Sequence, residues 1–330
     1  MTKKLTKLFL ICYKEFSLFL RMKEIKLGDN KIYLGDSKKV LQELPGESVD
    51  MIMTSPPYWA LRDYRNKKQL GLEPDFNEYI SKLCDIFDEV KRVLKKQGTC
   101  WVNIGDTYYS KSGNDFKDDR LRGHKAIECG LARANQARGL GLLPSKCLTL
   151  IPFRFAIEMV KRGWILRNTI IWYKTNCMPS SAKDRFTVDF EYLFLFAKNK
   201  KYYFKTQREP HQNKSIARTR YRWNGHREKK SSFEGMDISK MCHPDGRNKR
   251  AVWTINTNSF RGAHFAVYPE KLCEIPISAG CPKNGIVLDP FFGAGTTGLV
   301  ALKQGKRFIG IDLNASYIRL AKRRIFDGGK

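Results

Sequence analysis

The stretch Ile286-Val-Leu-Asp289-Pro-Phe-Phe-Gly293-Ala-Gly295-Thr296-Thr297-Gly298 decides the fold. Its first four residues form an apolar, β-branched run of strand length. A proline follows, then glycines spaced G-x-G-x-x-G, which permit a tight turn and close approach of backbone to a nucleotide. Thr297–Lys303 continues as a helix, Phe308–Asp312 as another buried strand and Tyr317–Arg324 as a basic helix. Strand, loop, helix and strand in that order make a βαβ unit, so the sheet is parallel and its ligand sits at the carboxyl ends of the strands. Asp312 closes the second strand, where a carboxylate can accept both ribose hydroxyls of a nucleoside. By itself the pattern fits hydride transfer with a nicotinamide cofactor as well as other nucleoside chemistry.

The same alternation runs through the amino-terminal part. Lys31–Gly35 reads as a strand, Lys38–Leu44 as a short helix and Val49–Thr54 as a buried strand ending at two prolines. Asn77–Lys95 carries Leu83, Ile86, Phe87, Val90 and Leu94 on one helical face, with Gly98 as its cap, and Cys100–Ile104 is the next strand. Residues 106–146 break the rhythm with Gly, Ser, Arg, Lys and Asn and read as an insert. Pro152–Lys161 is again helical. Trp164–Tyr173 and Phe186–Phe196 are β-rich runs that could pair as a hairpin at one sheet edge. The predicted fold is therefore α/β, a Rossmann-like, doubly wound, mostly parallel sheet with an antiparallel edge hairpin and a small basic lobe. Residues 1–24 read as an amino-terminal extension, either a short amphipathic helix or a stretch upstream of a start at Met22. Residues 25–200 read as the first half of one domain, 201–250 as a basic region set between its halves, and 251–330 as the second half, which carries the glycine loop.

Charge narrows the partners. The 330 residues hold 61 Lys and Arg against 33 Asp and Glu, a formal net charge of +28, which points to a polyanion. Lys and Arg far outnumber acids between residues 198 and 250, interleaved with Tyr202, Tyr203, Phe204, Tyr221, Trp223 and Phe233. The plain reading is a solvated basic loop; the functional one is a nucleic-acid lobe. Nine widely spaced cysteines without a C-x-x-C pair argue against a disulfide framework or a metal site and for reduced thiols in a cytoplasmic protein. No run reaches the roughly 18 uncharged apolar residues that a membrane span needs.

The chemistry-bearing motif is Thr54-Ser55-Pro56-Pro57-Tyr58-Trp59, at the carboxyl end of the Val49–Thr54 strand. Consecutive prolines stiffen the backbone and remove N–H donors, leaving carbonyls free to face a cleft. Ser55 and a proline carbonyl can accept hydrogen bonds from an exocyclic NH₂, and Tyr58, with Trp59 beside it, can stack on an extruded base. As a bare string the motif is more often only a turn.

Together these residues resemble the amino-group DNA methyltransferases. Ser55-Pro56-Pro57-Tyr58 is similar to their (D/N/S)PP(Y/F) catalytic motif, and Asp289-Pro-Phe-x-Gly-x-Gly-Thr-Thr to their S-adenosylmethionine loop. The early catalytic motif and late cofactor loop resemble the circularly permuted β class. The resemblance implies Ser55, Pro56, Pro57 and Tyr58 as catalytic residues. It implies S-adenosyl-L-methionine as cofactor, held by Asp36, Phe265, Asp289, Phe291, Gly293, Gly295, Thr296, Thr297 and Asp312. Double-stranded DNA is the implied substrate, contacted by Trp59, Lys174, Arg185, Arg218, Arg220 and Arg222. Serine at the first catalytic position resembles the cytosine-N4 members, whereas adenine-N6 members more often carry Asp or Asn. A monomer or homodimer accompanied by a cognate restriction endonuclease is further expected. Alternatives at this level are an adenine-N6 or RNA methyltransferase, a protein-glutamine methyltransferase, a nicotinamide oxidoreductase and a non-catalytic DNA-binding protein.

Overall fold

The computed structural model describes residues 23–62, 64, 66, 68–109, 143–211, 243–257 and 267–326. Phe265, Arg218, Arg220 and Arg222, most of the 106–146 insert and nearly all of the amino-terminal extension lie outside them.

A hairpin of β1 (Lys23–Leu27) and β2 (Asn30–Leu34) leads into α1 (Ser37–Glu43). Asp36 caps that helix, its carboxylate accepting from Lys39 N at 3.1 Å. The buried strand β3 (Val49–Thr54) follows, then α2 (Phe76–Val93) and β4 (Leu94–Ile104). α2 is built as its sequence dictates: Asp75 accepts from Asn77 N at 2.8 Å, Lys91 and Arg92 sit in the last turn, and one apolar face is buried. α3 (Ile151–Lys161) precedes the antiparallel pair β5 (Ile165–Tyr173) and β6 (Phe190–Ala197). The carboxyl-terminal part supplies β9 (Val252–Thr254), α4 (Glu270–Gly280), β10 (Ile286–Asp289), α5 (Thr296–Lys303), β11 (Arg307–Asp312) and α6 (Ala315–Phe326).

These strands make one nine-stranded sheet in the order β1-β2-β11-β10-β3-β4-β6-β5-β9. The five central strands, β2 to β4, run parallel, and the order reverses between β10 and β3. Helices α1, α2 and α3 pack on one face, and α4, α5 and α6 on the other. Ile52 faces the first layer, while Met51 faces the second beside Gly280. Each parallel strand is thus covered on both sides, as its near-continuous apolar sequence requires.

Two expectations need correcting. Gly98 does not cap α2, which ends at Val93 and passes directly into β4. It lies inside β4 where the β3 register shifts, and a Cβ there would come within 3.0 Å of the Asp50 carbonyl. Also, the β5–β6 hairpin is not the sheet edge. Val252–Thr254 pairs in parallel with β5 outside it, a three-residue strand too short and too remote to be read from periodicity.

The ends of the insert are zipped together. Tyr108 bridges Leu148, Tyr109 N donates to the Cys147 carbonyl at 2.7 Å and Thr149 N to the Thr107 carbonyl at 2.9 Å. Asp106 then accepts from Thr149 Oγ1 and from Ile151 N, capping α3 from across the loop. This replaces the cap that Leu150, at φ 57°, cannot give.

Lys205–Ala251 forms a separate compact unit. Within it β7 (Arg208–Glu209) pairs with β8 (Arg247–Asn248), and Glu209 binds Arg247 and Arg250.

Candidate active site

A cavity of about 520 Å³ opens at the carboxyl ends of the parallel strands. That is where an open α/β sheet binds ligands, at the point where strand order reverses. Two loops separated by most of the chain wall it, the proline turn after β3 and the glycine loop after β10.

The glycine loop begins at Asp289, which is 1 % exposed. Asp289 does not line the cavity. Its Oδ1 accepts from Thr54 Oγ1 at 2.6 Å and from Phe291 N at 3.0 Å, and its Oδ2 from Thr297 Oγ1 at 2.7 Å and Tyr268 Oη at 3.2 Å. Burial pushes this carboxyl above its usual range, against those hydrogen bonds. Asp289 and Thr297, expected to hold the cofactor, form a buried knot behind the lining that ties β3 to the glycine loop. Gly295 is likewise displaced from the lining. At φ 77° it starts α5, and a Cβ there would stand 2.8 Å from Ala321 Cβ.

The groups that do face the cavity are Asp36, Phe291, Gly293, Thr296 and Asp312. Asp312 Oδ2 accepts from Gly293 N at 2.7 Å and Oδ1 from Asn314 N at 2.7 Å. Burial nevertheless raises its carboxyl to about 6. Tyr64 and Tyr317 meet edge-to-face, 6.2 Å apart, on the same side of the cavity, and neither was foreseen.

The other end of the cavity holds Ser55, Pro56, Pro57 and Tyr58. Tyr79 Oη donates to the Pro57 carbonyl at 2.8 Å, and Gly105 leaves room for the Tyr58 ring, since a Cβ there would lie 2.7 Å from Cε2. Tyr58 Oη donates to Glu191 Oε2 at 2.6 Å and lies 3.1 Å from Asn103 Oδ1. Glu191 also accepts from Asn103 Nδ2 at 3.1 Å and pairs with Lys174. Burial and the adjacent Glu191 charge raise the Tyr58 phenol well above its ordinary value. Glu191 and Asn103 escaped the sequence reading. One is the second residue of the apolar strand β6, and the other is an amide buried in β4; a lone polar side chain in such a run was the available signal.

Lys174, expected on DNA, lies in this cavity with its ammonium 4.4 Å from the Trp172 ring centroid. Arg185 is exposed and stacks over Tyr108 at 3.7 Å. Trp59 contradicts its expected role. It is 1 % exposed, lies edge-on to Phe76 at 5.8 Å and donates Nε1–H to the Glu73 carbonyl at 2.8 Å, so no base can reach it.

One cleft walled by a glycine loop at one end and a Ser-Pro-Pro-Tyr turn at the other, at the carboxyl ends of a doubly wound sheet, is the architecture of an α/β methyltransferase. Residues 49–323 match the DNA methylase family, the N6/N4 methyltransferases. The chain belongs to that family and is a DNA methyltransferase. It is 42% identical over 307 residues to the Type II methyltransferase M.SmaI of Serratia marcescens, covering 92% of each chain. To the Type II methyltransferase M.Cfr9I of Citrobacter freundii it is 39% identical over 312 residues, covering 92% of this chain and 90% of that one. Among solved structures, the cytosine-N4-specific PvuII DNA methyltransferase superposes with a TM-score of 0.59 at 19% identity, over 89% of this chain and 86% of that one. The Thermus thermophilus protein TTHA0409, complexed with S-adenosyl-L-methionine, gives 0.55 at 22%, over 89% and 92%.

Proposed function

We propose that this chain transfers the methyl group of S-adenosyl-L-methionine to N4 of a cytosine extruded from double-stranded DNA. The observation that carries this is Ser55, at the head of a rigid Pro-Pro turn, facing the Gly293 loop within one cavity. The Type II designation of M.SmaI and M.Cfr9I supports a place as the modification half of a restriction–modification pair, and the cytosine-N4 specificity named for the PvuII enzyme, which shares the fold, agrees with the base. The order of the two motifs along the chain supports the permuted β class. A monomer or a homodimer fits the reading equally, and the cognate nuclease would be a separate protein.

The cavity suits the cofactor. Gly293, at φ 50°, brings loop backbone to the cavity wall, and Asp312 presents a carboxylate for ribose hydroxyls. Phe291 lines the same space and offers a π face for a cation. S-Adenosyl-L-methionine supplies an electrophilic methyl on a sulfonium. The protein has to make a poor nucleophile attack it, because the amino lone pair is delocalised into the base. Ser55 Oγ and the Pro56 carbonyl, accepting from the NH₂, favour the pyramidal state in which that lone pair is localised. Fixed positions add several kcal/mol more. Tyr58 stacking offsets part of the few kcal/mol that extrusion costs. A covalent cysteine route has no support among the described residues: no cysteine lines the cavity, burial pushes Cys84 and Cys281 up to about 12, and burial also raises Cys100 and Cys273 well above the ordinary thiol value.

Mass spectrometry of nucleosides from DNA treated with the protein and S-adenosyl-L-methionine tests the proposal. N4-Methylcytosine is expected. N6-Methyladenine would refute the base, and no methylated nucleoside would refute the activity.

A further inference from the structure

We propose that Glu191 receives the proton that the target amino group must lose, through a relay of two hydroxyls, Ser55 and Tyr58. The inference rests on the amino-methylation reading of this site and deepens it.

The hydrogen bonds run in one direction. Ser55 Oγ donates to Tyr58 Oη at 3.4 Å, and Tyr58 Oη donates to Glu191 Oε2 at 2.6 Å. A phenol has one proton to give, and the short bond to a carboxylate claims it ahead of the 3.1 Å approach to Asn103 Oδ1. With its own proton turned toward Tyr58, Ser55 Oγ keeps its lone pairs for an amino N–H. All three residues line the cavity. Glu191 is held by the groups that face it: Lys174 from beyond β5, Asn103 from β4 and Tyr58 from the catalytic turn.

The step balances. As the amino nitrogen bonds to the methyl carbon, the pair of the C–S bond passes to sulfur, leaving a neutral thioether and a positive nitrogen that still carries two protons. One proton moves to Ser55 Oγ, the Ser55 proton to Tyr58 Oη and the Tyr58 proton to Glu191. The base is left neutral and methylated, and Glu191 is left as the acid, which returns its proton to water. Before any proton moves, the polarised chain makes Ser55 a stronger acceptor just where positive charge develops. Glu191 acts through Tyr58 and is a positioning residue for that lone pair.

Single-turnover methylation by the full-length protein, with binding of cofactor and DNA measured separately, tests the relay. Glu191→Gln and Tyr58→Phe, which keep the planar end-group shape and the ring respectively, should each slow the methyl-transfer step roughly 100-fold. Both affinities should hold, and the double variant should be no slower than the slower single one, as for groups acting as a unit. A readout free of turnover comes from tyrosine ¹³C-labelled at Cζ. The resonance missing in Tyr58→Phe should ionise at lower pH in Glu191→Gln than in the wild type, because the Glu191 charge no longer opposes it. Full single-turnover rate in Glu191→Gln overturns the relay, as do additive losses in the double variant or an unmoved phenol titration. Loss of cofactor and DNA affinity in step with rate would make Glu191 a structural support and also overturn it. If the wild-type protein methylates no nucleoside at all, the underlying reading falls together with the relay; methylation by the wild type with an unaffected Glu191→Gln removes the relay alone.

Discussion

Tyr58 brings a ring and a hydroxyl to the site, and substitutions separate them. On the proposed mechanism, removing the ring in Tyr58→Ala takes away the stacking surface for an extruded base, worth about 1–3 kcal/mol. Turnover should fall far more than cofactor affinity, and equal loss of both in kinetics and calorimetry would contradict a stacking role. Asp312 carries a pH prediction. Its folded-state carboxyl sits at about 6, so it is ionised above that pH and protonated below it. On the proposed cofactor pose, ribose hydroxyls donate to the ionised form. Cofactor affinity should therefore be flat above pH 6 and weaken as pH falls, by up to about tenfold per unit. Asp312→Asn should bind weakly at every pH, with no such slope in calorimetric titration. The two tryptophan and glutamate surprises have one cause at this scale. Nothing in a linear string tells that Trp59 turns back to Phe76, or that Glu191 comes to lie against Tyr58. Ser55 through Tyr58 were legible because the prolines impose their geometry locally, whereas their partners come from strands far along the chain.

At the level of elements, the cofactor loop depends on how tightly α5 and α6 approach. Arg324 of α6 donates to the Ala294 carbonyl at 2.7 Å and to Thr296 Oγ1 at 3.0 Å, holding the loop from behind. Gly295→Ala would place a methyl 2.8 Å from Ala321 Cβ while forcing a side chain onto φ 77°. The expected cost is about 1–3 kcal/mol of stability from overpacking and strain, with weaker cofactor binding. Adding Ala321→Gly should recover the steric part, and denaturation midpoints of the single and double variants would show it. Elements that pack along their own periodicity, such as α2 and β10, could be placed from sequence to within a residue or two. β9 could not, because its three residues form a strand only by lying beside β5, and Gly98 misled because a bulge and a helix cap both favour glycine.

For the whole molecule, a net charge of +28 predicts that phosphate contacts supply most of the DNA affinity. Between 50 and 200 mM salt, binding to duplex DNA should drop by roughly 10³–10⁵-fold if some 6–10 phosphates are neutralised, while cofactor affinity should barely change. A shallow slope in filter binding or anisotropy would move the interface away from the basic surface. The sheet order has a consequence for how the protein is made. β10 and β11 lie between β2 and β3, yet they are synthesised more than two hundred residues later. A nascent chain therefore leaves the ribosome with the facing edges of β2 and β3 bare, and no complete sheet exists until the last two strands wedge in. Such long-range closure is slow and leaves unpaired edges open to other chains. Expression should consequently be limited by association of half-made chains, improving at lower temperature or with holdase chaperones, even though the finished enzyme has those edges buried.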